Sequence, residues 1–157
     1  MFPKKNSLYL VTSPTDCWQC HKGQEVIALA TYRFRHSDSA ELNDSEDAGE
    51  PFMLENIVEV PDALCQYIQK LHPQYRKHYS YTAKTTYYAN ICCSCGANFG
   101  DFFLHNEPGG AFYPMIEEHA AQMKIAKLPF EEVYDFRCCR SLGHWQFIAE
   151  HATKIAW

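Results

Sequence analysis

Two Cys-x-x-Cys segments far apart in the chain constrain its fold more than any other feature. Asp16-Cys17-Trp18-Gln19-Cys20-His21-Lys22-Gly23 lies near the start, and Ile91-Cys92-Cys93-Ser94-Cys95-Gly96-Ala97 lies near the middle. Each turn presents two thiolates from one tight loop of backbone. Two such turns make a tetrahedral four-sulfur set of the kind zinc prefers, with no open position. The reading predicts one structural Zn²⁺ held by Cys17, Cys20, Cys92 and Cys95. The pairs are separated by 71 residues, 21 to 91, against roughly 15 to 20 in the commoner spacing. A loop about four times longer adds only about 1 kcal/mol of closure entropy, and a structural zinc site contributes on the order of 10 kcal/mol. The long excursion is tolerable provided that it folds on itself.

Three other readings of the same thiols were weighed: two unrelated pairs of buried cysteines, a redox pair, and an iron–sulfur centre. Neither pair opens a helix after a parallel strand, which argues against the redox reading. Cys93, between two ligands, reads as a buried bystander, and His21 as a ligand that four thiolates make superfluous. Cys138-Cys139 followed by His144 raises a second site. Adjacent cysteines do not easily aim both sulfurs at one ion, so buried structural thiols are the preferred reading there.

At 157 residues with 46% apolar content, the chain suits one zinc-stapled domain over residues 1–157. No apolar run approaches the roughly 20 residues of a membrane span, and no signal-type stretch follows Met1. A cytoplasmic location is expected, where eight cysteines point to metal rather than disulfides. The net charge of −5 is uneven. Residues 37–50 hold six acids and no Lys or Arg, leaving the remainder at about +1. This segment reads as a mobile acidic surface loop.

The expected class is α+β: an antiparallel zinc-ribbon-like sheet with two knuckles and two to three packed helices. Residues 8–12 predict a strand and 13–16 a turn into the first knuckle; 25–35 predict one strand leading away. Residues 52–60 predict a strand. A helix opens at Pro61-Asp62 with Leu64, Tyr67, Ile68 and Leu71 on one face, and Cys65 off it. Residues 79–91 predict a strand into the second knuckle and 99–105 a strand out. Pro114 opens a helix whose inner face is Met115, Ile116, His119, Ala120 and Met123, stopped by Leu128-Pro129. Residues 133–139 read as a strand, and a last helix from about His144 presents Trp145, Ile148, Ala152 and Ile155.

Two further constellations stand out. Asp101, His105 and Glu107 alternate along the expected strand with Phe103, on one face, an arrangement suited to acid–base chemistry; a solvated strand edge is the preferred reading. Between Tyr67 and Tyr88, basic residues mix with tyrosines. Arg76, Lys77 and Lys84 with Tyr79 and Tyr81 form a candidate nucleic-acid surface.

The run from Tyr79 to Ala83, Asn90 to Cys95, and Gly96-Ala97-Asn98-Phe99-Gly100-Asp101-Phe102-Phe103-Leu104-His105 through Gly110 resembles a group of small bacterial zinc-ribbon-like proteins. These pair an N-terminal Cys-x-x-Cys with a later Cys-x-x-Cys-Gly-Ala and then Gly-Asp-Phe-x-Leu-His. The resemblance covers residues 79–114 well and 17–114 loosely. It implies metal at the four cysteines and names no activity. His21 stands where the group often has glycine. The functional expectation is a non-catalytic structural-zinc protein that binds another protein. Its acidic segment (Asp38, Glu41, Asp44, Glu46, Asp47) would steer toward a basic partner. An immunity- or antitoxin-like inhibitor of a bacterial toxin is one concrete form. The alternatives are a nucleic-acid-binding zinc ribbon and an enzyme centred on His105.

Overall fold

The structure, a computed structural model, describes residues 7–36, 39, 41–44, 50–82, 84–131, 137–140 and 145–155. In chain order these form β1 (Ser7–Asp16), β2 (Gly23–Thr31), β3 (Arg33–His36), β4 (Leu42–Asp44), β5 (Phe52–Glu59) and α1 (Asp62–Leu71). Next come β6 (Tyr75–Ser80), β7 (Thr85–Asn90), α2 (Asp101–His105) and α3 (Glu117–Ala121). The last are β8 (Lys124–Glu131), β9 (Arg137–Arg140), α4 (Trp145–His151) and β10 (Thr153–Ile155).

Eight strands make one mixed sheet in the order β10-β8-β1-β2-β5-β9-β3-β4, and β6-β7 form a separate hairpin. The class is α+β, as expected, but the sheet is not a simple antiparallel ribbon: β10 runs parallel to β8, and β3 parallel to β9. The two knuckles belong to different sheets. Residues 25–35 form two strands rather than one, because the chain breaks at Tyr32 and β3 pairs with β9 instead of continuing beside β5.

β1 lies between β2 and β8, so both its edges are paired, and with a core packed on each face its first seven residues are all buried. The two-residue period sorts them. Tyr9 and Val11 face a core with Val26, Ala28, Phe112, Met123, Ile125, Trp145 and Ile148, which brings in α4 and the segment before β8. Leu8 and Leu10 face Ile27, Leu29, Leu64, Ile68, Tyr75 and Tyr88, which brings in α1 and the β6–β7 hairpin.

Several expectations are corrected. β1 runs straight through 13–16, with Pro14 opposite Glu25. β8 stops pairing with β1 at Thr12, so Pro14 sits on a stretch with one neighbour, where a strand tolerates proline. Residues 124–131 are a strand, although Leu128-Pro129 reads as a stop. The register between β1 and β8 shifts between Ser7 and Tyr9, and this irregularity absorbs Pro129. The helix expected from Pro114 shrinks to α3, leaving Met115 and Ile116 exposed and only Ala120 and Met123 of the expected face buried. Of the α1 stripe, Leu64 and Ile68 are buried, while Leu71 is exposed. Residues 79–91 turn out to be the end of a hairpin whose first strand, β6, begins at Tyr75. α4 carries Trp145 and Ile148 inward, whereas Ile155 lies exposed on β10. Of the expected strand at 133–139, residues 133–136 lie outside the described residues, as does His144, and the remainder falls in β9. No helix among the described residues is long and apolar enough to cross a membrane.

Candidate metal centre

Each knuckle closes a pair of extended segments. Asp16 pairs with Gly23, and the loop between them carries Cys17 and Cys20. Ile91 bridges Asn98, and the loop between them carries Cys92 and Cys95. The internal hydrogen bonds correspond. Cys17 N–H donates to Lys22 O at 2.9 Å and His21 N–H to Cys17 O at 2.9 Å; Cys92 N–H donates to Ala97 O at 2.8 Å and Gly96 N–H to Cys92 O at 3.0 Å. The Gln19 and Ser94 amides each donate to the first sulfur of their own pair at 3.4 Å. His21 and Gly96 hold the same left-handed position, φ 63° and 78°, so the histidine that departs from the motif adopts the glycine's conformation.

The four sulfurs converge. Cys17 Sγ lies 3.6 Å from Cys95 Sγ, Cys20 Sγ lies 3.6 Å from Cys92 Sγ, and all four are within 4.8 Å of one another. With Zn–S near 2.3 Å, a tetrahedron places sulfurs about 3.8 Å apart. The set therefore fits one tetrahedral ion. Amide donors favour thiolate character: those of Cys20 and Gln19 lower the Cys17 thiol, and those of Cys95 and Ser94 bring Cys92 down to about 6. The Ala97 amide acts the same way on Cys95, but burial and the neighbouring sulfurs outweigh it and push that thiol up to about 12. A dication at the centre reverses that repulsion.

Sequence reasoning missed the side chains that lock the two knuckles together. Gln24 donates from Nε2 to Ile91 O at 3.1 Å and accepts at Oε1 from Cys93 N–H at 2.9 Å. Trp18 Nε1 donates to Asn98 O at 2.8 Å. Asn90, 1% exposed, accepts from Ile27 N–H at 2.8 Å and donates to Ile27 O at 2.9 Å. Its amide occupies the edge of β2 as a strand's peptide group would. An amide residue beside a cysteine turn is the only signal the sequence held.

The remaining candidates fall elsewhere. Cys93 is exposed, not buried. Cys138 is buried, which raises its thiol, and Cys139 follows it in β9, so the two side chains point to opposite faces. Asp38, Glu46 and Asp47 lie outside the described residues; Glu41 is exposed and Asp44 ends β4, a short strand within the expected loop. Arg76 and Lys77 are exposed neighbours on β6, directed to opposite faces, with Lys77 Nζ 5.6 Å from the Tyr88 ring centroid. Lys84 occupies the hairpin turn with φ 53°. Tyr79 and Tyr81 are exposed and meet edge to face at 5.0 Å.

Asp101 and His105 lie on a helix, not a strand. Gly100, φ 77°, turns the chain into α2, so Asp101, Leu104 and His105 face inward at i, i+3, i+4 while Phe102 and Phe103 face water. Asp101 Oδ2 accepts from Asn56 N–H at 2.8 Å. Burial raises its carboxyl to about 7, against the Asn56 bond and with help from Glu55. Glu55 accepts from Asn106 Nδ2 at 2.7 Å. His105 stacks on Phe112 at 4.8 Å, and burial lowers it to about 3. Glu107 is exposed and does not join them.

A groove of about 990 Å³ opens beside the first knuckle, walled by Trp18, Tyr79, Tyr81, Phe102 and Phe103 and reaching Asp16 and Asp101. In comparisons with family models, curated proteins and solved structures, none matches this chain. The likeness to the bacterial zinc-ribbon-like group therefore rests on the quoted motif residues alone.

Proposed function

We propose that the chain is a zinc protein whose ion is structural, and that it acts without catalysis by binding another protein. The observation that carries this reading is the convergence of four sulfurs from two hairpins separated by 71 residues. Four thiolates leave no position for a substrate or water, which is the coordination of a staple rather than of a catalytic zinc. Softness of the ligands and tetrahedral spacing favour zinc over harder cations. Inhibition of a basic bacterial toxin in the cytoplasm is one concrete form of the binding role, supported by the acid-rich segment at 37–50. Two measurements test the reading. Elemental analysis of purified protein is expected to return one zinc per chain, released by chelator together with unfolding. Capture from the native host is expected to return a specific protein partner; iron in place of zinc, or no partner for either the native or a loop-neutralised chain, refutes the corresponding half.

A second reading is favoured by the exposure of Tyr79 and Tyr81, 45% and 85%. With Arg76, Lys77 and Lys84 nearby, they offer stacking faces to single-stranded nucleic acid. Salt-dependent binding of single-stranded RNA, lost in an Arg76→Ala, Lys77→Ala chain, supports it; no binding at low salt removes it.

A further inference from the structure

α2 inverts the usual arrangement. It buries Asp101 and His105 and turns Phe102 and Phe103 to solvent, 60% and 63% exposed. Across the groove stand Tyr81 and, on the first knuckle, Trp18, 62% exposed. Large aromatics gathered around one concavity mark a recognition surface rather than scattered exposure. Their positions are fixed in advance. The Trp18 indole is tied to Asn98 O, Phe102 and Phe103 meet edge to face at 5.7 Å, and Gly100 leaves room for the Phe103 ring, which a Cβ would approach at 3.1 Å.

The charge of the walls selects the occupant. Asp16 is the exposed carboxylate on the groove, Asp101 beneath it being buried on Asn56 N–H, and His78 stands on the same wall. Among the described residues no Lys or Arg lines it, and Arg76, Lys77 and Lys84 are not among its walls. A phosphate backbone would meet the Asp16 carboxylate there and no fixed cation among the described residues. A cation would meet aromatic faces and an anion together, the combination that holds ammonium and guanidinium groups. We propose that this groove binds a basic segment of a partner protein, seating a Lys or Arg side chain against Trp18, Tyr81 and Phe103 with its charge toward Asp16. The proposal rests on the protein-binding reading above and locates its contact surface away from the acidic segment.

The test uses the full metal-loaded chain and three labelled probes: a dodecapeptide of repeating Lys-Leu-Ser, its Glu-Leu-Ser counterpart, and a single strand of twelve deoxythymidines. Fluorescence anisotropy of the labelled probes reports binding. The lysine peptide is expected to bind saturably, and Tyr81→Ala and Phe103→Ala are each expected to weaken it at least fivefold, with Asp16→Asn also weakening it. Neutralising Asp38, Glu41, Asp44, Glu46 and Asp47 removes long-range steering alone and is expected to slow association while leaving the dissociation rate as in the native chain, whereas the groove variants speed dissociation. Tyr81 is the safest probe of the site, since at 85% exposure its removal leaves the fold intact; unchanged metal content and urea midpoint confirm this. Equal binding by native and groove variants, loss confined to the loop-neutralised chain, or equal binding of the acidic peptide or oligonucleotide overturns the proposal. If a Tyr81→Ala, Phe103→Ala chain still captures the native-host partner, the groove assignment fails while the protein-binding function stands.

Discussion

The two knuckles share one local geometry and hang on unequal supports. The first closes the β1–β2 hairpin, whose register is unbroken from Leu8–Thr31 to Asp16–Gly23, and β1 is held again by β8. The second is entered from β7, a strand of the small sheet, and is left through one bridge, Ile91 to Asn98, before the chain turns at Gly100. The first has paired strands on both sides of its loop. The second is tied in by the side chains of Asn90, Gln24 and Trp18 and by the Asp101–Asn56 bond, and would lean on the proposed ion for the rest. His21, a side chain that enters the left-handed region more readily than most, stands in the first knuckle, while glycine holds the equivalent place in the second.

Removing the ion is the largest perturbation and the sharpest test of this asymmetry. Chelation, or Cys92→Ser, is expected to lower stability on the order of 10 kcal/mol, comparable to the whole stability of an ordinary domain. Hydrogen exchange should show the amides of Cys92, Gly96 and Phe99 opening before those of the β1–β2 hairpin; simultaneous opening would break the comparison.

Titration of Asp101 comes next. Its folded pKa, about 7, is raised above the unfolded value near 3.9. The folded state therefore holds the proton over that window, and its contribution is lost as pH rises from about 4 through 7. Asp101→Asn keeps an acceptor for Asn56 N–H without the charge. It is expected to match the native chain below pH 4 and to exceed it by up to about 4 kcal/mol at pH 8 in urea unfolding. His105 acts in the opposite sense. Lowered to about 3, it draws stability away as pH falls below about 6.5.

Asn90→Ala orphans the amide and carbonyl of Ile27 and is expected to cost about 3 kcal/mol, read as a lower urea midpoint with metal bound. The smallest effects discriminate the left-handed positions. Gly96→Ala has open space for its Cβ, so its loss of about 1 kcal/mol is backbone strain alone. His21→Gly should gain less than 1 kcal/mol, because relief of strain is offset by a freer unfolded chain. A large gain there would mean that the first hairpin is less firmly held than its register implies.

The metal set was legible because a Cys-x-x-Cys turn writes its geometry into four residues, and two copies are enough to imply a meeting. What joined them was not, because Asn90 and Gln24 act through tertiary contacts that no local pattern announces. At 101–107 two periods coexist: Asp101, Phe103 and His105 fit a strand, while Asp101, Leu104 and His105 fit a helix. Burying an aspartate and a histidine in preference to two phenylalanines is a choice hydropathy argues against. Pro129 misled for the opposite reason. Its effect is local and strong, but an irregular register let a strand pass through it.

The distance between the half-sites also orders events during synthesis. Cys17 leaves the ribosome 78 residues ahead of Cys95, roughly 4 to 16 s at 5 to 20 residues per second. Through that interval the nascent hairpin offers a two-sulfur clamp, half of a cage. Closure must await the second turn, which would make capture of the proposed ion a late step in this chain's birth.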